Sequence, residues 1–246
     1  MRQTTFTIQG TRALAPEVWE LTLEGDTSGI TSPGQFANIA LPGRFLRRPV
    51  SVCTWTADAL TLLVRELGEG TRELVRFPVG TALDLLTGLG NGFSVSAIPD
   101  RGGILAGGGI GIAPLYGLAR KLRRRGTPVT AALGFRTGAE AFYVEEFAAL
   151  GCEVLVSTED GSLGSKGFVT DLLSSRQEDT YVCCCGPLPM LKAVHALPHL
   201  TGGQFSLEAR MGCGFGACMG CSLSTWEGPK RVCREGPVFA WEELLW

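Results

Sequence analysis

Four cysteines, Cys213, Cys218, Cys221 and Cys233, constrain this chain more tightly than any other feature. Three form a C-x4-C-x2-C stretch, and eleven residues separate the third from the fourth. Around the first three runs Met211-Gly212-Cys213-Gly214-Phe215-Gly216-Ala217-Cys218-Met219-Gly220-Cys221, in which nearly every spacer is small. Such a loop lets backbone approach a bound group closely and aim N–H groups at negative charge. The spacing is the plant-type [2Fe–2S] pattern, in which one tight loop and one distant thiolate hold two irons. Zinc is the alternative, but it usually takes its ligands as spaced pairs, whereas three crowd one loop here. One-electron chemistry is therefore the first functional expectation.

The remaining composition narrows the field. With 246 residues the chain is long enough for more than one core. A formal charge of -2 leaves no electrostatic footprint for nucleic acid or an anionic membrane surface. The basic run Lys121-Leu122-Arg123-Arg124-Arg125 falls where a helix should end, and is expected to be a solvated end complementing the helix dipole. The most apolar stretch, residues 104–119, is too short and too broken by glycine for a membrane span. No export leader opens the chain, and four of nine cysteines are committed to metal, so a reducing cytoplasm is expected.

Texture along the chain changes twice. Residues 1–98 alternate apolar and polar, as in Thr4-Thr5-Phe6-Thr7-Ile8 and Val18-Trp19-Glu20-Leu21-Thr22-Leu23-Glu24, with further strands at 36–41, 50–52 and 60–65. Short strands with frequent turns predict a small antiparallel β-barrel. Residues 99–200 alternate buried strands (103–106, 129–135, 154–157, 181–185) with helical stretches (113–125, 145–150), which predicts an α/β domain on a parallel sheet. Residues 201–246 hold the cysteines, lack the apolar periodicity of an independent core, and are expected to depend on the metal for their fold.

Each of the first two domains carries candidate binding motifs. Arg48-Pro49-Val50-Ser51 opens a strand, which alone is an ordinary strand start. Downstream, Gly68-Glu69-Gly70-Thr71-Arg72 is a glycine turn leading into Thr71 as a helix N-cap, either a plain capped helix or an anion site. In the second domain Gly107-Gly108-Gly109-Ile110-Gly111-Ile112-Ala113-Pro114 lies between a buried strand and a helix, the context of a phosphate-binding turn. Cys185-Gly186-Pro187-Leu188-Pro189-Met190 ends the last strand, while Cys53, Cys152, Cys183 and Cys184 read as small buried residues. Arg136 follows the second strand, where it could meet a 2′-phosphate, and Glu159 and Asp160 could meet a ribose hydroxyl. The balance favours NAD over NADP.

Together these motifs resemble the ferredoxin–NADP reductase superfamily. The resemblance implies that Arg48, Pro49, Val50 and Ser51 meet the ring and pyrophosphate of FAD. It implies that Leu63, Val64 and Arg65 line the middle of that cofactor, and that Gly70 and Thr71 hold its phosphates. Leu89-Gly90-Asn91-Gly92-Phe93 is similar to the turn closing the family's barrel. Gly107, Gly108, Gly109, Gly111 and Pro114 would form the NAD turn, with Gly186 and Pro187 beside it and Cys185 near the nicotinamide as the catalytic residue. Nicotinamide exchanges electrons in pairs and a [2Fe–2S] cluster singly, and a flavin can do both, so FAD belongs between them.

The run from Ser206 to Cys221, with Val232-Cys233-Arg234-Glu235-Gly236-Pro237-Val238-Phe239, resembles the electron-transfer subunits of two-subunit, NAD-linked dihydroorotate dehydrogenases. Thr158-Glu159-Asp160-Gly161-Ser162-Leu163-Gly164-Ser165-Lys166-Gly167 is also close to their signature. What this implies is a cytoplasmic oxidoreductase subunit of pyrimidine biosynthesis that carries electrons from partner FMN through [2Fe–2S] and FAD to NAD+. The partner would be an FMN-containing (β/α)8 barrel, two of each chain forming a heterotetramer. No such barrel fits beside the three expected domains of this chain. Phe215 and Met219 are candidates for partner contact or for core packing. Alternatives at this point are the flavin and iron–sulfur subunit of another NAD(P)H-linked complex, of ferredoxin–NADP reductase or hydrogenase-diaphorase type, and a zinc module on a nucleotide-sensing domain.

Overall fold

The computed structural model describes residues 1–174 and 180–246. Six strands, β1 (Arg2–Ala15), β2 (Val18–Glu24), β3 (Phe36–Ile39), β4 (Arg48–Trp55), β5 (Ala59–Arg65) and β6 (Ala82–Leu89), close an antiparallel barrel in the order β1-β2-β5-β4-β3-β6. Alternation puts Phe6, Ile8, Leu21, Leu23, Leu60, Leu62, Leu83 and Leu85 inside it, all essentially inaccessible to solvent. The sequence pattern does not mark β6, and the reason is physical. Its outward Leu86 and Leu89 pack on the neighbouring domain's core, so both faces are apolar and the alternation is lost.

Helix α1 (Glu69–Leu74) sits between β5 and β6 and corrects one expectation: Thr71 is not its N-cap. Gly68 occupies that position in extended backbone, and Thr71 lies one turn in. There the Thr71 hydroxyl accepts the backbone N–H groups of Leu67 at 3.0 Å and Gly68 at 3.3 Å. It thus satisfies the chain entering the helix rather than the helix's own first turn.

The second sheet has the order β10-β9-β8-β7-β11-β12-β15. It is built from β7 (Gly103–Gly108), α2 (Ile112–Arg124), β8 (Val129–Phe135), α3 (Val144–Ala149), β9 (Glu153–Thr158), β10 (Ser165–Lys166), α4 (Val169–Ser174), β11 (Thr180–Cys185) and α5 (Leu188–His195). From β7 the chain moves outward through β8 to β10, then returns to place β11 against the other side of β7. That reversal creates a switch point, where a crevice opens at the carboxyl ends of the strands. Cys185 and Gly107 are register partners at its mouth.

The cysteine segment shares this sheet. β12 (Leu200–Ser206) runs parallel to β11, and the expected division at 200/201 falls at its start. After the hairpin β13 (Ser222–Thr225) and β14 (Gly228–Arg231), β15 (Val238–Ala240) pairs antiparallel with β12. Cys221, Val232, Cys233 and Phe239 join one buried cluster with Ile104 and Ala106 of β7. The segment escaped periodicity because its core is borrowed.

The basic run at the end of α2 is also more than a solvated terminus. Arg123 donates to the carbonyls of Leu150 (3.2 Å) and Thr127 (3.1 Å), and Arg125 donates to the carbonyl of Val95 (2.9 Å) and pairs with Asp100. Among the described residues, no helix is long and apolar enough to cross a membrane.

Helix α2 also packs on barrel strand β4, and the closest approach is at Gly117. A Cβ there would lie 2.5 Å from the Cys53 carbonyl oxygen. Across the same interface, the Tyr143 hydroxyl donates to Glu20 of β2 at 2.6 Å. Replacing an interior helical glycine by alanine ordinarily stabilises by about 1 kcal/mol. Here the clash is with backbone and should reverse the sign: Gly117→Ala is expected to lower the urea midpoint, and a raised midpoint would refute the close packing.

Candidate functional site

A first groove lies between the barrel and the sheet. Pro49, Val50 and Ser51 of β4, Leu63, Val64 and Arg65 of β5, and Thr71 form one wall. Ile110 just before α2 and Ala113 in its first turn also line it, with Ser206, Leu207, Glu208, Ala209 and Met211. Arg48 adjoins it and lies against Gly70, where a Cβ would sit 2.5 Å from the guanidinium Nε. Arg48 thus packs on Gly70, and the two motifs that sequence could only associate are in contact. Arg48 donates to the Leu46 carbonyl at 2.6 Å and meets no carboxylate among the described residues, leaving its charge for an anion. A largely apolar cleft with such a cation at its edge fits a planar ring joined to a pyrophosphate. The wall from 206 to 211 was not anticipated as lining; its one signal is the alternation of Leu207, Ala209 and Met211.

A second groove opens at the switch point. Gly108 at the end of β7 and Gly109 after it, Phe135 and Arg136 at the end of β8, Glu140, Glu159 after β9, and Pro187 and Met190 line it. The expected glycines divide by role. A Cβ on Gly111 would lie 2.4 Å from the Cys185 carbonyl oxygen, so it permits close packing of the turn on β11. Gly109 has φ +52 and open space around it, so it presents backbone to the groove. Pro114, in the first turn of α2, needs no N–H donor there. Gly107 packs on Ile112, and Gly186 on Met190. Of the residues lining the two grooves, Arg65 is shared by both.

Cys185 is buried beneath this turn and lines neither groove. Burial, with a further push from the Glu208 charge and against a hydrogen bond from Ser206, raises its thiol to about 12. It therefore stays protonated near neutral pH and acts as a packing and hydrogen-bonding group. Cys53, Cys152, Cys183 and Cys184 are buried as well, consistent with a structural role.

In the cysteine loop the four sulfurs form two pairs. The Cys213 sulfur accepts N–H groups from Ala217 (3.2 Å) and Cys218 (3.4 Å), and the Cys213 N–H points at the Cys218 sulfur at 3.5 Å. Cys221 and Cys233 make the second pair, the Cys233 N–H donating to the Cys221 sulfur at 3.4 Å. Among the described residues no three ligating side chains converge on a single ion. Two thiol pairs fit the two irons of a binuclear cluster better than one tetrahedral zinc. Burial works to raise the Cys213 thiol, but N–H groups of Phe215, Cys218 and Ala217 outweigh it and bring it down to about 6. Donors that favour thiolate also favour an anionic cluster.

Two side chains hold the loop in place. Arg231 donates to the Gly216 carbonyl at 2.6 Å while paired with Glu235. Asn38 of barrel strand β3 donates to the Cys213 carbonyl at 3.0 Å, and its own Oδ1 is buried without a partner. Phe215 and Met219 are 42% and 52% exposed, so they are surface residues and not core.

Residues 208–245 match the model of the iron–sulfur cluster binding domain of dihydroorotate dehydrogenase B, and residues 105–196 match the oxidoreductase NAD-binding domain. The dihydroorotate dehydrogenase B (NAD(+)) electron transfer subunit of Geobacillus kaustophilus is 41% identical, over 98% of this chain and 97% of that protein. Its Listeria monocytogenes counterpart is 39% identical, over 99% of each. A chain from the structure of an NADH-dependent reduced ferredoxin–NADP oxidoreductase superposes with a TM-score of 0.87 at 30% identity, covering 98% of this chain and 90% of that one. This chain belongs to the family of electron-transfer subunits of NAD-linked dihydroorotate dehydrogenase B.

Proposed function

We propose that this oxidoreductase subunit holds FAD in the first groove, NAD in the second and a [2Fe–2S] cluster on Cys213, Cys218, Cys221 and Cys233, and passes electrons from the FMN of a dihydroorotate-oxidising partner to NAD+ in pyrimidine biosynthesis. The observation that carries this reading is the segment 206–211. It forms one wall of the first groove and runs directly into the cysteine loop, with the single residue Gly212 between Met211 and Cys213. Groove and loop are thus parts of one continuous element, and Asn38 ties the barrel to the same loop.

Each residue then has a task. Arg48 offers an uncommitted cation to a pyrophosphate, and Pro49, Val50, Ser51, Leu63 and Val64 exclude water from a ring. Gly70 and Thr71 bring the α1 entrance close to the phosphates. Gly108, Gly109 and Gly111 shape the nicotinamide nucleotide's turn, with Gly107, Pro114, Gly186 and Pro187 supporting it. Cys185 positions that turn from below. When bound, the flavin supplies the conversion between paired and single electrons.

The partner we propose is a separate FMN-containing (β/α)8 barrel, two copies of each chain forming a heterotetramer in the cytoplasm. Exposed Phe215, Cys218 and Met219 mark the face it would cover.

Two outcomes are expected. Arg48→Ala should weaken FAD retention by about 10- to 100-fold, the size of a lost charge-assisted hydrogen bond, measured as flavin absorbance per protein after gel filtration. Unchanged flavin content would remove Arg48 from the site. Cys218→Ser should keep NADH-to-dye reduction while dihydroorotate-dependent NADH formation with the co-expressed barrel subunit falls to background. Full turnover in that variant would overturn the proposed electron path.

A further inference from the structure

The distal end of the second groove carries an arrangement of charge that bears on which nicotinamide nucleotide it accepts; the argument rests on the nucleotide site proposed above. β8 is the second strand of the domain, and residues just past its carboxyl end meet the adenosine ribose in sheets of this kind. Arg136 stands there, and a free guanidinium would suit the 2′-phosphate of an NADP-type nucleotide. It is not free. Its Nη2 lies 2.7 Å from Glu140 Oε1, and its Nε donates to Glu140 Oε2 at 3.0 Å. One edge of the guanidinium, Nε with Nη2, is engaged in this two-point pair, within one short turn.

Glu159 lines the same end of the groove from β9, and its charge and that of Glu17 act on Arg136 as well. The charged side chains lining the groove are Glu140, Glu159, Arg65 and Arg136, and the cation at this position, Arg136, is the one paired with Glu140. A 2′-phosphate would meet a cation already offset by Glu140 and would approach Glu159, whereas a free ribose hydroxyl can donate to either carboxylate.

We propose that Glu140 and Glu159 set the preference of this subunit for a nucleotide with an unmodified 2′-hydroxyl. Glu140 does so by withholding Arg136, and Glu159 by repelling added negative charge. Glu140 is a specificity-determining residue that acts through Arg136.

The experiment compares ADP-ribose with 2′-phospho-ADP-ribose by isothermal titration calorimetry on FAD-loaded protein. In Glu140→Gln the released arginine should shift the affinity ratio toward the phosphorylated ligand by roughly tenfold, about one charge-assisted contact. Adding Arg136→Gln to that variant should abolish the shift. A ratio that stays at the wild-type value, or equal weakening of both ligands, overturns the proposal, because a merely structural role for Glu140 moves both together. NADH-dependent dye reduction by the wild type, measured in parallel, reports the nucleotide-site reading separately. A wild type that reduces dye yet binds both ligands equally overturns only the specificity assignment.

Discussion

Helix α2 is pressed so closely between the parallel sheet and barrel strand β4 that only hydrogen fits at Gly117. The rest of the arrangement depends on that contact. The start of the helix supplies Ile110 and Ala113 to the first groove, while the glycines just before it line the second. Arg65, at the end of β5, faces both. Two grooves set along one rigid element keep their occupants in a fixed relation, and transfer between bound groups is steeply sensitive to such positioning.

The cysteine segment follows the same economy of shared surfaces. It has no core of its own: β12 and β15 extend the parallel sheet, and Cys221 and Cys233 are buried among residues of β7 and β12. One half of the loop is therefore anchored in a stable core. The other half, with Cys218, Phe215 and Met219, is at the surface. That polarity suits a cluster site with one side set in the protein and the other open to a partner. Asn38 and Arg231 pin the loop by its backbone carbonyls and not through the sulfurs.

Hydrogen bonding and burial divide the cysteines by chemistry. Cys213 is surrounded by N–H donors and driven toward thiolate, whereas at Cys185 burial outweighs the single hydrogen bond from Ser206 and holds the thiol. The same side chain is thus suited to holding metal in one place and to packing in another. Spacing distinguished the two groups, and the environment explains why the distinction holds.

Much of this was legible from residues alone, because the relevant signals are local. The spacing of Cys213, Cys218, Cys221 and Cys233, the alternation of β1, β2 and β5, and the glycine turn after β7 each reflect a geometry set within a few residues. What the sequence could not disclose depends on distant partners. β6 hid because its outer face packs on another domain, Thr71 was displaced from the cap by Gly68, and Arg123 and Arg125 found carbonyls on other elements. The contact of Arg48 with Gly70, the use of residues 206–211 as a groove wall and the capture of Arg136 by Glu140 are likewise outcomes of packing. Local spacing determined which groups this protein can hold; tertiary structure decided how they face one another, because those distances exist only once the barrel, the sheet and the cysteine loop share a core.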